Sequence, residues 1–220
     1  MDAEIKSKPV DPEETTLFRG LEKLPPELWE DASRLDPRAV SRRAGIIHQP
    51  GRGYVVPFLG VDHLVRPGEK SMTVPAGARR PGFQAGLVIL NYLVHASDEG
   101  LAGRMAADRE LNGGELFFKG PHALNKAPVL ERFGRDSAGF LARAQSWGAS
   151  TAAGGDAAFK LLALPKVLVA YTLYEADEEF DAQLSITFDA SIDKFLPLDS
   201  IWALINVISN RLAEEGNKNG

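Results

Sequence analysis

The spacing of hydrophobic residues changes along the first third of the chain. In residues 27–35 apolar side chains recur at helical spacing, and Asp36-Pro37 is typical of the start of a second short helix. From residue 45 to residue 74 short runs rich in β-branched and aromatic residues alternate with Gly and Pro. This part of the chain is therefore predicted to form two helices followed by a meander of antiparallel strands.

The second half mixes helical patterns with strand-like runs. Both alternating faces of residues 167–174 are apolar, which predicts a central strand, whereas residues 184–188 have one polar face. Asn112-Gly113-Gly114 indicates a turn that joins residues 104–110 and 115–118 in a hairpin. Helices are predicted at residues 83–96, 123–133, 137–147 and 198–213, and a further strand at residues 157–162.

The order of these elements indicates the fold class. Strands that follow one another through short turns favour antiparallel pairing, because parallel strands need long crossover connections. We therefore predict an α+β fold in which a largely antiparallel sheet carries packed helices. A single domain is expected at residues 25–213, with a loose leader at residues 1–24 and a frayed tail at residues 214–220.

Composition narrows the functional classes. The chain has 220 residues and a formal net charge of −5, which argues against a nucleic-acid partner because phosphate binding needs a basic face. It contains no cysteine, which excludes iron–sulfur clusters held by its own thiolates and cysteine-ligated zinc. No run reaches the roughly 20 apolar residues that span a bilayer, and no signal-peptide pattern occurs. We expect a cytoplasmic protein with no membrane partner.

The densest charge lies in residues 175–181, where five carboxylates occur among seven residues between two predicted strands. A calcium-binding loop would place Gly and Glu where this chain has Ala182 and Phe188, so that motif is absent. A looser divalent-cation site remains a hypothesis. The alternative is a solvated turn that discourages edge-to-edge strand pairing. The candidate ligands are Asp177, Glu178, Glu179 and Asp181 in the turn and Asp189 at the end of the next strand.

A Gly-rich segment precedes the predicted helix at residues 83–96. Exposed N–H groups at a helix N-terminus attract anions, and neighbouring arginines add positive charge. The phosphate-binding loop motif is incomplete, because Phe83 replaces its Lys. The alternative is a loop that only leads into a buried helix. The candidate anion-binding residues are Arg79, Arg80, Gly82 and Gln84.

Polar residues on the same predicted helix form a second candidate site. Gln84, Asn91 and His95 fall within roughly 40° of one another around the helix axis, which is compatible with a polar pocket or with a narrow solvent face. His48 and His63 lie on neighbouring predicted strands but lack a third metal ligand, so a structural role is favoured.

A series of short motifs occurs in a fixed order along the chain. It consists of Gly82-Phe-Gln-Ala-Gly86, Arg109-Glu-Leu-Asn-Gly-Gly114, Gly154-Gly-Asp-Ala-Ala-Phe159, Leu164-Pro165, Tyr174-Glu-Ala-Asp-Glu-Glu-Phe180, Thr187-Phe-Asp-Ala-Ser191 and Phe195-Leu-Pro197. Residues 54–212 with these motifs resemble an uncharacterised domain-of-unknown-function family of anaerobic bacteria and archaea. Some members of that family are fused to a cysteine-ligated iron–sulfur domain, which this chain lacks.

The resemblance implies a role near low-potential redox or corrinoid metabolism, with an iron–sulfur or corrinoid protein as the partner. It transfers no catalytic residue, because the family has no established activity. The leading hypothesis is a non-catalytic accessory or small-ligand-binding protein. The alternative is an enzyme that uses a divalent cation held by the carboxylates of the 175–181 turn.

Overall fold

The computed structural model describes residues 20–214, which form seven α-helices and two antiparallel sheets. The helices are α1 (Pro26–Arg34), α2 (Pro37–Ala44), α3 (Phe83–His95), α4 (Gly114–Phe117), α5 (Ala127–Phe133), α6 (Ser137–Gln145) and α7 (Leu198–Ala213). The strands are β1 (Ile47–Gln49), β2 (Gly53–Phe58), β3 (Val61–Arg66), β4 (Ser71–Thr73), β5 (Met105–Ala106), β6 (Ser150–Ala152), β7 (Ala157–Leu164), β8 (Val167–Tyr174) and β9 (Gln183–Asp189).

Both sheets are antiparallel throughout, so the predicted α+β class is confirmed. The first sheet has the order β1-β2-β3-β4, and the second has the order β5-β9-β8-β7-β6. Strand β8 lies in the middle of the second sheet, as its two apolar faces predicted. Asp36 caps α2, because its carboxylate accepts a hydrogen bond from the Ala39 N–H at 2.7 Å.

The predicted hairpin across residues 104–118 is wrong. Strand β5 pairs with β9, with Met105 opposite Asp189, and residues 114–117 form α4. Gly113 has a left-handed backbone with φ of 76°, and it leads into this helix instead of a return strand. A Cβ on Gly114 would lie 2.0 Å from the Asp108 carbonyl oxygen, so the close turn requires glycine.

One continuous hydrophobic core joins the two sheets and the helices, as a single domain requires. Helices α3 and α7 pack against each other within it, and most of their residues are buried. Residues 1–19 of the predicted leader and residues 215–220 of the predicted tail lie outside the described part of the chain. Of the remaining leader, Leu24 is 3% exposed and packs close to Gly86 of α3, so this residue belongs to the core, whereas Glu22 and Lys23 are exposed.

In residues 20–214 no helix is both long enough and apolar enough to cross a membrane.

Candidate functional site

Backbone N–H groups of the acidic turn, residues 175–181, form hydrogen bonds to a carboxylate of the same turn. Asp177 Oδ1 accepts hydrogen bonds from the N–H groups of Glu179 at 2.8 Å and Phe180 at 2.7 Å, which lowers the pKa of Asp177. Glu175 accepts from the Ser137 N–H at the start of α6. Residues 177–181 are exposed, and no group of three or more potential metal ligands occurs in the described chain. The geometry therefore corresponds to a solvated turn.

Asp189 does not join this turn, contrary to the hypothesis that it could be recruited as a ligand. It lies at the far end of β9, and the six residue steps from Gln183 span about 20 Å at the rise of an extended strand. Asp189 is 1% exposed, and its oxygens accept hydrogen bonds from the N–H groups of Ala102, Gly103 and Ser191 and from the Ser191 hydroxyl. Its role is to fix the loop beside β5.

The two arginines of the predicted anion site have different surroundings. Arg79 forms an ion pair with Glu214, the residue after α7, whereas Arg80 is exposed. The positive charge of Arg79 thus lies beside the C-terminal end of α7, where the helix dipole favours cations. Gly82 is the N-cap of α3, but no side chain caps that end. The geometry therefore does not support an anion site that uses both arginines.

This pairing gives a stability prediction. We expect Arg79→Ala to lower the free energy of unfolding by about 1 kcal/mol, because a partly buried ion pair with Glu214 is lost. Arg80→Ala serves as the matched control and should change it by less than about 0.5 kcal/mol. Urea denaturation of the two variants checks this. Equal effects would contradict the structural assignment of Arg79.

The polar stripe on α3 does not form one pocket. Asn91 is buried, and its Nδ2 donates to the Ser200 hydroxyl on α7 at 2.9 Å. Gln84 is buried as well, while His95 is exposed. The shared line predicted from the sequence is therefore divided between the helix interface and solvent, because the packing partner covers only part of the helix.

His48 and His63 do not meet. Strand β2 lies between their strands, so the two rings flank it on β1 and β3. His63 is 1% exposed, and its Nδ1 donates to the Val61 carbonyl at 2.9 Å. Burial lowers the pKa of His63, which favours the neutral ring. Its surroundings are those of a structural histidine.

A groove between α7 and the segment that leads into α5 is the strongest site candidate in the described chain. Its cavity volume is about 370 Å³, near the lower end of the range for small-molecule pockets. We call it the Asn206 groove. It is lined by Pro121, Ala123, Leu124, Asn125, Lys126, Ala127, Trp202 and Asn206.

Asn206 is the polar centre of this groove. It is 7% exposed, yet its side chain makes no hydrogen bond to any described residue. The buried serines of α7 have partners, since Ser200 accepts from Asn91 and Ser209 bonds to the Tyr171 hydroxyl at 3.2 Å, whereas the indole Nε1 of Trp202 is buried without one. The unpaired amide atoms of Asn206 are not fully buried, so they are available to a ligand in the groove.

Neighbouring side chains hold the groove in shape. Trp202 lies one turn before Asn206, and its ring packs nearly perpendicular to that of His122, at 5.6 Å between centroids. His122 stacks in turn on Phe117 at 4.6 Å. One turn after Asn206, Asn210 accepts a hydrogen bond from Asn125 at 3.0 Å. Both ends of the groove are thus fixed by contacts within the protein.

The sequence interpretation missed this site, although a local signal exists. Trp202, Asn206 and Asn210 recur every four residues, so they lie on one face of α7. Asn206 and Asn210 interrupt the apolar pattern of the helix. Only the packed structure shows that one amide has a partner and the other has none.

Comparison with known proteins identifies the family of the chain but finds no relative of known function. No curated protein and no solved structure matches the chain. A family model described as a domain of unknown function, DUF3786, matches residues 36–211, from the cap of α2 to the last turn of α7. The matched region contains both sheets and the whole Asn206 groove. The chain therefore belongs to the DUF3786 family of domains of unknown function.

Proposed function

We propose that this protein binds a small molecule in the Asn206 groove and is not itself a catalyst. One observation carries the proposal, namely that Asn206, a residue only 7% exposed, lines a cavity with a side-chain amide that has no hydrogen-bond partner in the described chain. The amide atoms of Asn206 are not fully buried, so they are accessible to a ligand in the groove. Each hydrogen bond that a ligand makes to the amide in place of water contributes about 0.5–1.5 kcal/mol.

The chemistry of the walls supports binding over catalysis. The lining residues include no carboxylate, hydroxyl or imidazole, and Lys126 is their one ionisable side chain. General acid–base or nucleophilic catalysis normally pairs a reactive group with a second group that activates it. The groove instead offers apolar surface and amides, the combination that gives orientation and specificity in ligand pockets.

Nuclear magnetic resonance of the ¹⁵N-labelled full chain tests the proposal. The titrated panel contains nucleosides, nucleotides, amino acids and organic acids at millimolar concentration. We expect at least one compound to shift the Asn206 side-chain amide and the Trp202 indole N–H resonances, which Asn206→Leu and Trp202→Phe variants assign. The indole of Trp29, which is 2% exposed in α1, is the internal control and should not move.

The result that contradicts the proposal is a panel that leaves both groove resonances unchanged. The proposal also fails if every binding compound moves only resonances outside the groove, because the ligand site would then lie elsewhere.

A separate proposal concerns the physiological setting, and it is based on the resemblance of the sequence to the family described above. It comprises an accessory role in anaerobic redox or corrinoid metabolism, an iron–sulfur or corrinoid partner, and a cytoplasmic location. Copurification from the native host, followed by metal and cofactor analysis of the captured proteins, tests the partner. Capture of neither type of protein would contradict this part.

A further inference from the structure

We propose that the ligand of the Asn206 groove is a planar nitrogen heterocycle whose edge carries a hydrogen-bond donor beside an acceptor, as on the adenine ring. This inference rests on the proposed binding function and specifies its ligand class. It uses three properties of the groove: the free amide, the aromatic wall and the fixed ends.

The unpaired amide of Asn206 determines which hydrogen-bonding groups the ligand must carry along its edge. The side chain of Asn206 carries an acceptor oxygen next to a donor nitrogen, and neither is paired with a described residue. A donor–acceptor pair of this kind is complementary to a ligand edge with the same two groups in opposite order. Asparagine reads the adenine ring in this bidentate manner in protein–DNA complexes. A ligand with only one of the two groups would leave half of the amide unsatisfied.

The walls select a flat ring. The indole of Trp202 and the side chains of Pro121, Ala123 and Leu124 form apolar surface around the amide. Aromatic side chains stack on heterocycles and contribute strongly to their affinity, largely independent of the identity of the base. His122 contacts Trp202 and itself stacks on Phe117, so three ring systems hold one another in place. The wall is therefore formed before a ligand arrives.

The amides at the end of the groove are already paired, so the ligand can form its amide hydrogen bonds only with Asn206. The amides of Asn125 and Asn210 are joined to each other at 3.0 Å, which leaves Asn206 as the one unpaired amide among the asparagines of α7 in the described chain. No carboxylate lines the groove, so the electron-rich ring nitrogens meet no repulsion from a buried negative charge.

Isothermal titration calorimetry of the full chain with adenosine tests the inference. We expect adenosine to bind, and one of the two analogues that lack a ring acceptor, 1-deazaadenosine or 7-deazaadenosine, to bind at least about tenfold more weakly. The analogue that keeps the acceptor used by Asn206 should retain the affinity of adenosine. Equal affinity for all three compounds would overturn the bidentate contact.

Variants locate the contact. Asn206→Asp keeps the shape of the side chain but removes its donor, and we expect it to weaken adenosine binding by at least about tenfold. Trp202→Leu should weaken it by a similar factor through the loss of stacking. Ser200→Ala is the matched control, because it removes a buried hydrogen bond of α7 with Asn91 outside the groove. It should leave the dissociation constant unchanged even if it lowers the melting temperature.

The two proposals can fail separately. If adenosine does not bind while another compound of the panel shifts the Asn206 and Trp202 resonances, the ligand class is overturned and the binding function stands. If no compound shifts them, both are overturned. If adenosine binds equally well to the Asn206→Asp and wild-type proteins, the heterocycle does not contact this amide and the inference is again overturned.

Discussion

Replacement of Asp189 by Asn is expected to lower the free energy of unfolding by about 3 kcal/mol. The buried carboxylate accepts four hydrogen bonds, from three backbone N–H groups and the Ser191 hydroxyl. Hydrogen bonds to a charged acceptor contribute about 1.5–3 kcal/mol each, and the new NH₂ group would face donors instead of accepting from them. Urea denaturation measures the change. Asp181→Asn in the exposed acidic turn is the control and should have little effect.

The same carboxylate predicts a dependence on pH. Burial raises the pKa of Asp189, but the hydrogen bonds from Ser191, Ala102 and Gly103 outweigh burial and hold the pKa below its ordinary value. Because the folded-state pKa is the lower one, the stabilisation is fully present above the unfolded value of about 3.9 and is lost as the pH falls through the folded-state pKa. The wild-type advantage over Asp189→Asn should therefore shrink on acidification below about pH 4. An advantage that stays constant would contradict this account.

Truncation of Phe159 is expected to cost about 3–5 kcal/mol in the free energy of unfolding. Its fully buried ring stacks on Tyr171 with centroids 5.3 Å apart and planes at 7°, and it meets Phe140 of α6 at 5.0 Å. Phe159→Ala removes these contacts and leaves a cavity between β7 and its neighbours. Chemical denaturation of the variant gives the cost.

Leu162 provides a matched control for this truncation. It lies on the same strand as Phe159 but is 52% exposed, so Leu162→Ala should cost less than about 1 kcal/mol. Similar losses for the two variants would show that Phe159 does not have the central position in the core that the structure gives it. Both variants leave the lining of the Asn206 groove unchanged.

Most elements were predictable because their signals are local. The apolar spacing of α7 predicted its bounds at residues 198 and 213, and the two apolar faces of β8 predicted a central strand. Periodicity reports which faces of an element are buried, and this depends only on neighbouring residues. The predicted hairpin after residue 104 failed because β5 pairs with β9, more than 80 residues later along the chain.

The candidate sites show more clearly what cannot be predicted from the sequence alone. The charge density of the acidic turn is visible in the sequence, but the direction of β9 carries Asp189 away from it. Arg79 and Arg80 look alike in the sequence, although Arg79 pairs with Glu214, 135 residues away. Hydrogen-bond partners are chosen by tertiary packing, so the sequence identified the polar groups without identifying their partners.

By itself, the sequence determined the fold class, the positions of the main helices and strands, and the absence of thiol chemistry, because composition and periodicity are local properties. Only the tertiary structure decided which polar groups are satisfied. It paired Asn91 with Ser200 and Asn125 with Asn210, and it left the amide of Asn206 without a described partner beside a cavity. The physical reason is that packing of the helix removes water from its inward-facing polar side chains, such as those of Ser200 and Ser209, while partners are supplied only where another element approaches.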